Sequence, residues 1–145
     1  MGYREKRAHV LFMRRSYQAY RALKERAGEE LPFTLNELRI LVELAINLKD
    51  CEYLGVLGEK VTSRNFSIDH ATPVSRGGTH ELENIVVCSH SANLAKGILT
   101  REEFLKVVSV LKEIPPEASA DFLGRLKAGG AVIRLRFLGL KKVKS

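Results

Sequence analysis

Cysteine is scarce in this chain, and no part of it stays apolar for long. Two cysteines, Cys51 and Cys88, in 145 residues cannot build a disulfide framework. No stretch has the length or apolar purity of a secretory leader or a membrane span. The expectation is therefore a reducing, intracellular, cytoplasmic setting with no membrane partner. Internal repeats and low-complexity tracts are missing as well, which excludes repeat arrays and biased tails. Asn65-Phe66-Ser67 fits a glycosylation sequon, but a sequon acts only in a secretory compartment, so it reads as chance.

Acidic residues are absent from Arg125 to Ser145, a stretch that carries seven Lys or Arg. The whole net charge of +7 resides there, because the remainder is balanced. Within that remainder the first thirty residues hold eight basic and four acidic side chains, and the span from Leu31 to Gly124 is net acidic. Basic ends around an acidic middle are what a polyanion-binding protein would use for non-specific phosphate attraction, and nucleic-acid contact is the favoured reading over a merely solubilising tail. At 45% hydrophobic and 28% charged residues, the composition fits one globular domain over residues 1–145 with a core of its own.

From Tyr3 to Ala27 there is no Gly or Pro, and Val10, Met13, Tyr17 and Tyr20 recur at helical spacing, so one long helix ending at Gly28 is expected. Thr34 and Glu37 form a capping box, with Phe33 and Leu38 as its hydrophobic staple. The helix they open has Leu35, Leu38, Leu41, Val42, Ala45 and Leu48 as its buried stripe. Asp50 to Ile68, with Gly55, Gly58 and the polar run Thr62-Ser63-Arg64-Asn65, reads as loop. Phe66–Ile68, Ala71–Val74 and Asn84–Cys88 read as extended, interrupted by Arg76-Gly77-Gly78-Thr79. A short helix is expected from Ser89 to Gly97. A second capping box at Thr100 and Glu103, with Leu99 and Phe104 as staple, opens a helix burying Phe104, Val107, Val108 and Leu111. Pro115-Pro116 ends it, and another helix runs to Gly129-Gly130. From Ala131 onward, Arg134 and Arg136 alternate with apolar neighbours, which admits a strand.

Ile68-Asp69-His70-Ala71-Thr72-Pro73-Val74-Ser75-Arg76-Gly77-Gly78-Thr79-His80-Glu81-Leu82-Glu83-Asn84-Ile85-Val86-Val87, followed by Asn93-Leu94-Ala95-Lys96-Gly97, closely resembles the HNH endonuclease family. The shared elements are Asp-His with a nearby Pro, a polar Gly-rich loop, an Asn before a short apolar strand, and an Asn before Lys-Gly. They come in the same order, with fourteen residues from His70 to Asn84 and nine from Asn84 to Asn93. Taken singly, His70 reads as a surface or structural histidine, Asn84 as a turn residue and Asn93 as a solvated helix position. The combined spacing reverses that balance.

The resemblance implies an α+β fold in which a ββα-metal element at residues 66–97 sits between N-terminal helices at 1–50 and C-terminal helices with a basic tail at 98–145. The residue types suit that reading. Hydrolysis of a phosphodiester needs an activated water, a cation on the oxygen that gains charge, and fixed geometry. An imidazole titrates near neutral pH, so His70 is the natural general base. Asp69 and Asn93 offer oxygens of the kind Mg²⁺ or Mn²⁺ accepts. Neighbours along a strand point to opposite faces, so Asp69 and His70 share a site only if the backbone turns between them. By the same resemblance Asn84 is catalytic through geometry, holding the loop beside His70.

Many members of the family carry two Cys-x-x-Cys pairs around a structural zinc. Here Leu54 stands where the partner of Cys51 would be, and Ser89 and Ala92 occupy the second pair, so structural zinc is not expected. The expected cofactor is one divalent catalytic ion. Lys96 and Arg76 are expected to contact phosphate, as are Arg134, Arg136, Lys141 and Lys142 in the tail, with Arg4, Lys6, Arg7, Arg14 and Arg15 adding salt-sensitive affinity. His80 is set aside as an exposed loop histidine. The leading expectation is a metal-dependent endonuclease on DNA, with RNA as the other substrate class. The alternatives are a nucleic-acid-binding or partner-docking module without turnover, or a subunit of a larger nuclease. The terminal segments would then meet a protein partner or a second copy.

Overall fold

The breaker-free N-terminal stretch forms one helix, α1 (Tyr3–Ala27), closed by Gly28 in the left-handed conformation at φ 69°. Residues 2–48 and 52–129 are described by a computed structural model. The second helix, α2 (Leu35–Leu48), opens on the capping box the sequence predicts. The Glu37 amide donates to Thr34 Oγ1 and the Thr34 amide to Glu37 Oε1, each at 3.1 Å, while Phe33 and Leu38 are buried on either side. α2 runs back along α1. The Tyr20 hydroxyl donates to the Phe33 carbonyl at 3.0 Å, and Arg39 donates to Ser16 Oγ at 3.0 Å and the Met13 carbonyl at 2.8 Å.

Of the four residues of the expected apolar face of α1, Tyr20 packs inward and the other three do not. Val10, Met13 and Tyr17 are exposed, and the helix instead turns Phe12, Ser16, Ala19, Tyr20 and Leu23 inward. Ser16 tolerates full burial because its hydroxyl takes the Arg39 bond and donates to the Met13 carbonyl at 3.1 Å. In α2 the predicted stripe holds at Leu38 and Val42, but Leu48 in the last turn is exposed. The segment read as loop contains a 3-10 turn, Gly55–Leu57, and supplies Tyr53, Leu54 and Val61 to the core.

β1 (Phe66–His70) and β2 (Ile85–Ser89) pair antiparallel, with Phe66 opposite Ser89 and His70 opposite Ile85. The extended segment predicted at Ala71–Val74 is absent. The chain leaves the ladder after His70 and makes 3-10 turns at Val74–Arg76 and Leu82–Asn84, so Asn84 ends a turn rather than starting a strand. A short helix, α3 (His90–Lys96), follows β2 directly, with Ser89 Oγ accepting the Ala92 amide at 3.0 Å as its cap. Next comes α4 (Arg101–Glu113), in which Thr100 and Glu103 exchange bonds at 2.9 and 3.2 Å. The last described helix is α5 (Pro116–Gly129).

The fold is α+β: helices and a two-stranded antiparallel sheet around one cluster. Leu99, Phe104, Val107, Val108 and Leu111 are buried there as their spacing predicts. No described helix is long and apolar enough to cross a membrane. Cys51 and the tail bearing Arg134, Arg136, Lys141 and Lys142 lie outside the described residues.

Candidate active site

Side chains alternate along β1, so Ser67 and Asp69 leave one face of the strand and Phe66, Ile68 and His70 the other. α3 lies against the first face. Its Asn93 Nδ2 donates to Ser67 Oγ at 2.9 Å, and one helical turn later the Lys96 ammonium meets Asp69 Oδ2 at 2.9 Å. The two-residue step on the strand and the three-residue step on the helix match these contacts to one another.

Lys96 is fully buried and Asp69 is 9% exposed. A buried ammonium persists only with its donors satisfied and its charge opposed. Here Nζ also donates to the His70 carbonyl at 3.0 Å and lies 5.7 Å from the centre of the Tyr53 ring. Tyr53 donates its hydroxyl to the same Asp69 oxygen at 2.7 Å. Burial, then the Asp69 charge and that hydrogen bond, push the Tyr53 phenol far above its usual range, so it stays a donor.

Asn84 clamps the connection between the strands. Its Oδ1 accepts the Thr72 amide at 2.9 Å, while its Nδ2 donates to the carbonyls of Thr72 at 2.9 Å and Thr79 at 2.8 Å. Its own carbonyl accepts the Ala71 amide at 2.8 Å. Every group of the side chain is therefore used. The loop closes so tightly that a Cβ at Gly78 would fall 1.8 Å from the Thr72 carbonyl oxygen, which is why glycine stands there.

This closure brings His80 to His70. His70 Nε2 lies 3.1 Å from His80 Nδ1, and the rings meet edge to face at 5.1 Å between centroids. Burial and then the neighbouring His80 lower the His70 pKa, while the Asp69 charge works against them. The ring is therefore neutral, as a base must be, to a lower pH than a free histidine.

Of the residues expected from the sequence, Asp69, His70 and Lys96 are joined by hydrogen bonds, and Asn84 holds the loop that follows His70. Asn93 lies on the same helix, bonded to Ser67. The ladder continues in register through His70, so the turn expected between Asp69 and His70 does not occur within the strand.

Lys96 is corrected. It points inward onto Asp69 and the His70 carbonyl, so it is unable to contact phosphate at the surface. The Arg76 guanidinium is engaged with the Glu103 carboxylate and the Ile98 carbonyl. Burial alone would raise the Glu103 carboxyl, but the Arg76 bond and the Thr100 backbone outweigh it and hold it below its usual value.

Two residues escape sequence reasoning. His80 carries no periodic signal, and ten residues separate it from its partner. Tyr53 falls in a segment read as loop, two positions after Cys51.

Basic side chains gather along α1. A groove of about 720 Å³ is lined by Arg4, Lys6, Arg7, Arg14 and Arg64 together with Tyr3 and Val10. A smaller one, about 280 Å³, runs between Arg15 and Arg26 of α1 and Phe66, Ser67 and Ile68 of β1. Arg15 donates to the Ser63 and Phe66 carbonyls at 2.6 and 2.9 Å and lies over the Phe66 ring.

No family model matches the chain, and no curated protein or solved structure matches it.

Proposed function

We propose that this chain is a metal-dependent endonuclease of the HNH type that hydrolyses DNA phosphodiester bonds, with His70 as general base. The observation that carries the reading is the Asn84 clamp: one asparagine, at the position the motif requires, uses its whole side chain to fix the loop that leaves His70. The strand, strand, helix order of β1, β2 and α3 supports it as well.

In this reading His70 takes a proton from water as the water oxygen bonds to phosphorus. The bond from phosphorus to the leaving oxygen breaks, and that oxygen is protonated from solvent. Asp69 and Asn93 suit a hard cation by donor chemistry, but they lie on the face of β1 opposite His70, so the nuclease reading requires the backbone to turn between Asp69 and His70 when substrate binds. The two contacts of Asp69 both fall on Oδ2, leaving Oδ1, and the Asn93 bond uses Nδ2, leaving its carbonyl oxygen. When bound there, Mg²⁺ or Mn²⁺ supplies Lewis-acid stabilisation of the leaving oxygen. The Lys96 ammonium beside Asp69 opposes a second cation, so binding is favoured when the substrate phosphate contributes its negative charge. The Arg4 to Arg14 groove gives the phosphate backbone a sequence-independent surface.

One observation favours a second reading, a nucleic-acid-binding module without turnover: Lys96 already neutralises Asp69 with no metal needed. Supercoiled plasmid separates the two. Nicking that requires both Mg²⁺ or Mn²⁺ and His70, and is lost in His70→Ala, supports the nuclease. Plasmid that is bound but stays intact under every metal condition supports the module.

A further inference from the structure

The sequence gives no reason to pair His80 with His70, but the fold brings their ring nitrogens within 3.1 Å. The approach is held from both sides. The His70 carbonyl is fixed by Lys96, and the loop carrying His80 is tied down at the adjacent Thr79 by Asn84.

Between two imidazole nitrogens at this distance one ring donates and the other accepts. Neutral histidine in water favours the form with its proton on Nε2, which leaves Nδ1 as the acceptor. With His80 in that form, His70 must donate from Nε2. The lone pair of His70 then resides on Nδ1, the ring nitrogen not facing His80. In the opposite arrangement His70 would carry its proton on Nδ1 and have no free lone pair to offer water.

We propose that His80 is a positioning residue, fixing the ring orientation and tautomer of His70 so that Nδ1 is the proton-accepting atom. The inference rests on reading His70 as the general base.

The test begins with the ¹⁵N-histidine-labelled full chain at pH 8, free of metal and nucleic acid, observed through long-range proton–nitrogen correlations of its imidazoles. His70 is expected to show a protonated Nε2 and an unprotonated Nδ1. In His80→Ala it should relax to a mixture of tautomers, and His80→Gln, whose amide oxygen can accept the bond, should restore part of the preference. In plasmid nicking, His80→Ala should lower kcat about 10- to 100-fold with KM and melting temperature held, and Gln should recover part of the loss. A wild-type His70 protonated on Nδ1, or a tautomer unchanged in His80→Ala, overturns the proposal. So does an unchanged kcat. The expected tautomer in a protein that never nicks leaves the positioning role standing and overturns the nuclease reading alone.

Discussion

Replacing Lys96 with Met keeps the length of the side chain and removes its charge, which leaves Asp69 buried against Tyr53 without a counter-ion. The expected loss is about 3–5 kcal/mol in denaturant unfolding, and adding Asp69→Asn should recover much of it because the stranded charge is then gone. Asn84 tests the clamp with a subtler change. Asn84→Ala deletes three hydrogen bonds and should cost about 2–4 kcal/mol. Asn84→Asp keeps the acceptor for the Thr72 amide but turns a carboxylate toward two carbonyl oxygens, so at pH 7 it should be at least as damaging. Those carbonyls disfavour the charged form and raise the folded-state pKa of the new carboxyl. Stability should therefore return as pH falls toward its unfolded value near 4, which thermal melts at several pH values would read. At this scale the sequence was partly legible. Asn84 and His70 stood out by spacing, whereas a lysine before a glycine at a helix end reads as solvent-facing, and only the packing of α3 on β1 turns Lys96 inward.

Helix boundaries were the most legible elements, because a capping box is local chemistry: Thr34 with Glu37 and Thr100 with Glu103 form as read. Faces were harder. α1 carries apolar residues on more than one side, and burial went to the side where Ser16 and Tyr20 make hydrogen bonds to α2 and its approach. A direct consequence is mutational. Val10→Ser and Leu44→Gln, both at exposed positions, should move stability by less than about 0.5 kcal/mol. Phe104→Ala, at a site with no exposure and an edge-on contact to Tyr53, should cost about 3–5 kcal/mol. Comparable losses from all three would mean that the outer faces of α1 and α2 are covered in solution. Ala71–Val74 reads as extended because Thr72-Pro73-Val74 has strand composition, while the hydrogen bonds that bend the chain at Thr72 come from a residue twelve positions away.

Charge is a property of the whole molecule, and the sequence placed the excess at the two ends. The structure adds that the N-terminal part lines a groove shared with Arg64, fifty residues further on. If that groove carries phosphates, binding to a labelled duplex should weaken steeply between about 50 and 200 mM salt. Changing Arg7, Arg14 and Arg64 together to Gln should lower the slope of log affinity against log salt by up to about 0.9 for each phosphate released. An unchanged slope would exclude the groove. The two halves of the chain are also joined unequally. Asp69, His70, His80, Asn84 and Lys96 are joined over 10 to 27 residues, whereas α1 is bound to β1 and the turn before it through Arg15 and carbonyls 48 and 51 residues away. Such a molecule is expected to open in stages. α1 can lift off in a partial unfolding that leaves the strand, loop and helix around His70 closed, so amides of α1 should exchange with solvent before those of Ala71 and Thr72, which a single asparagine releases together.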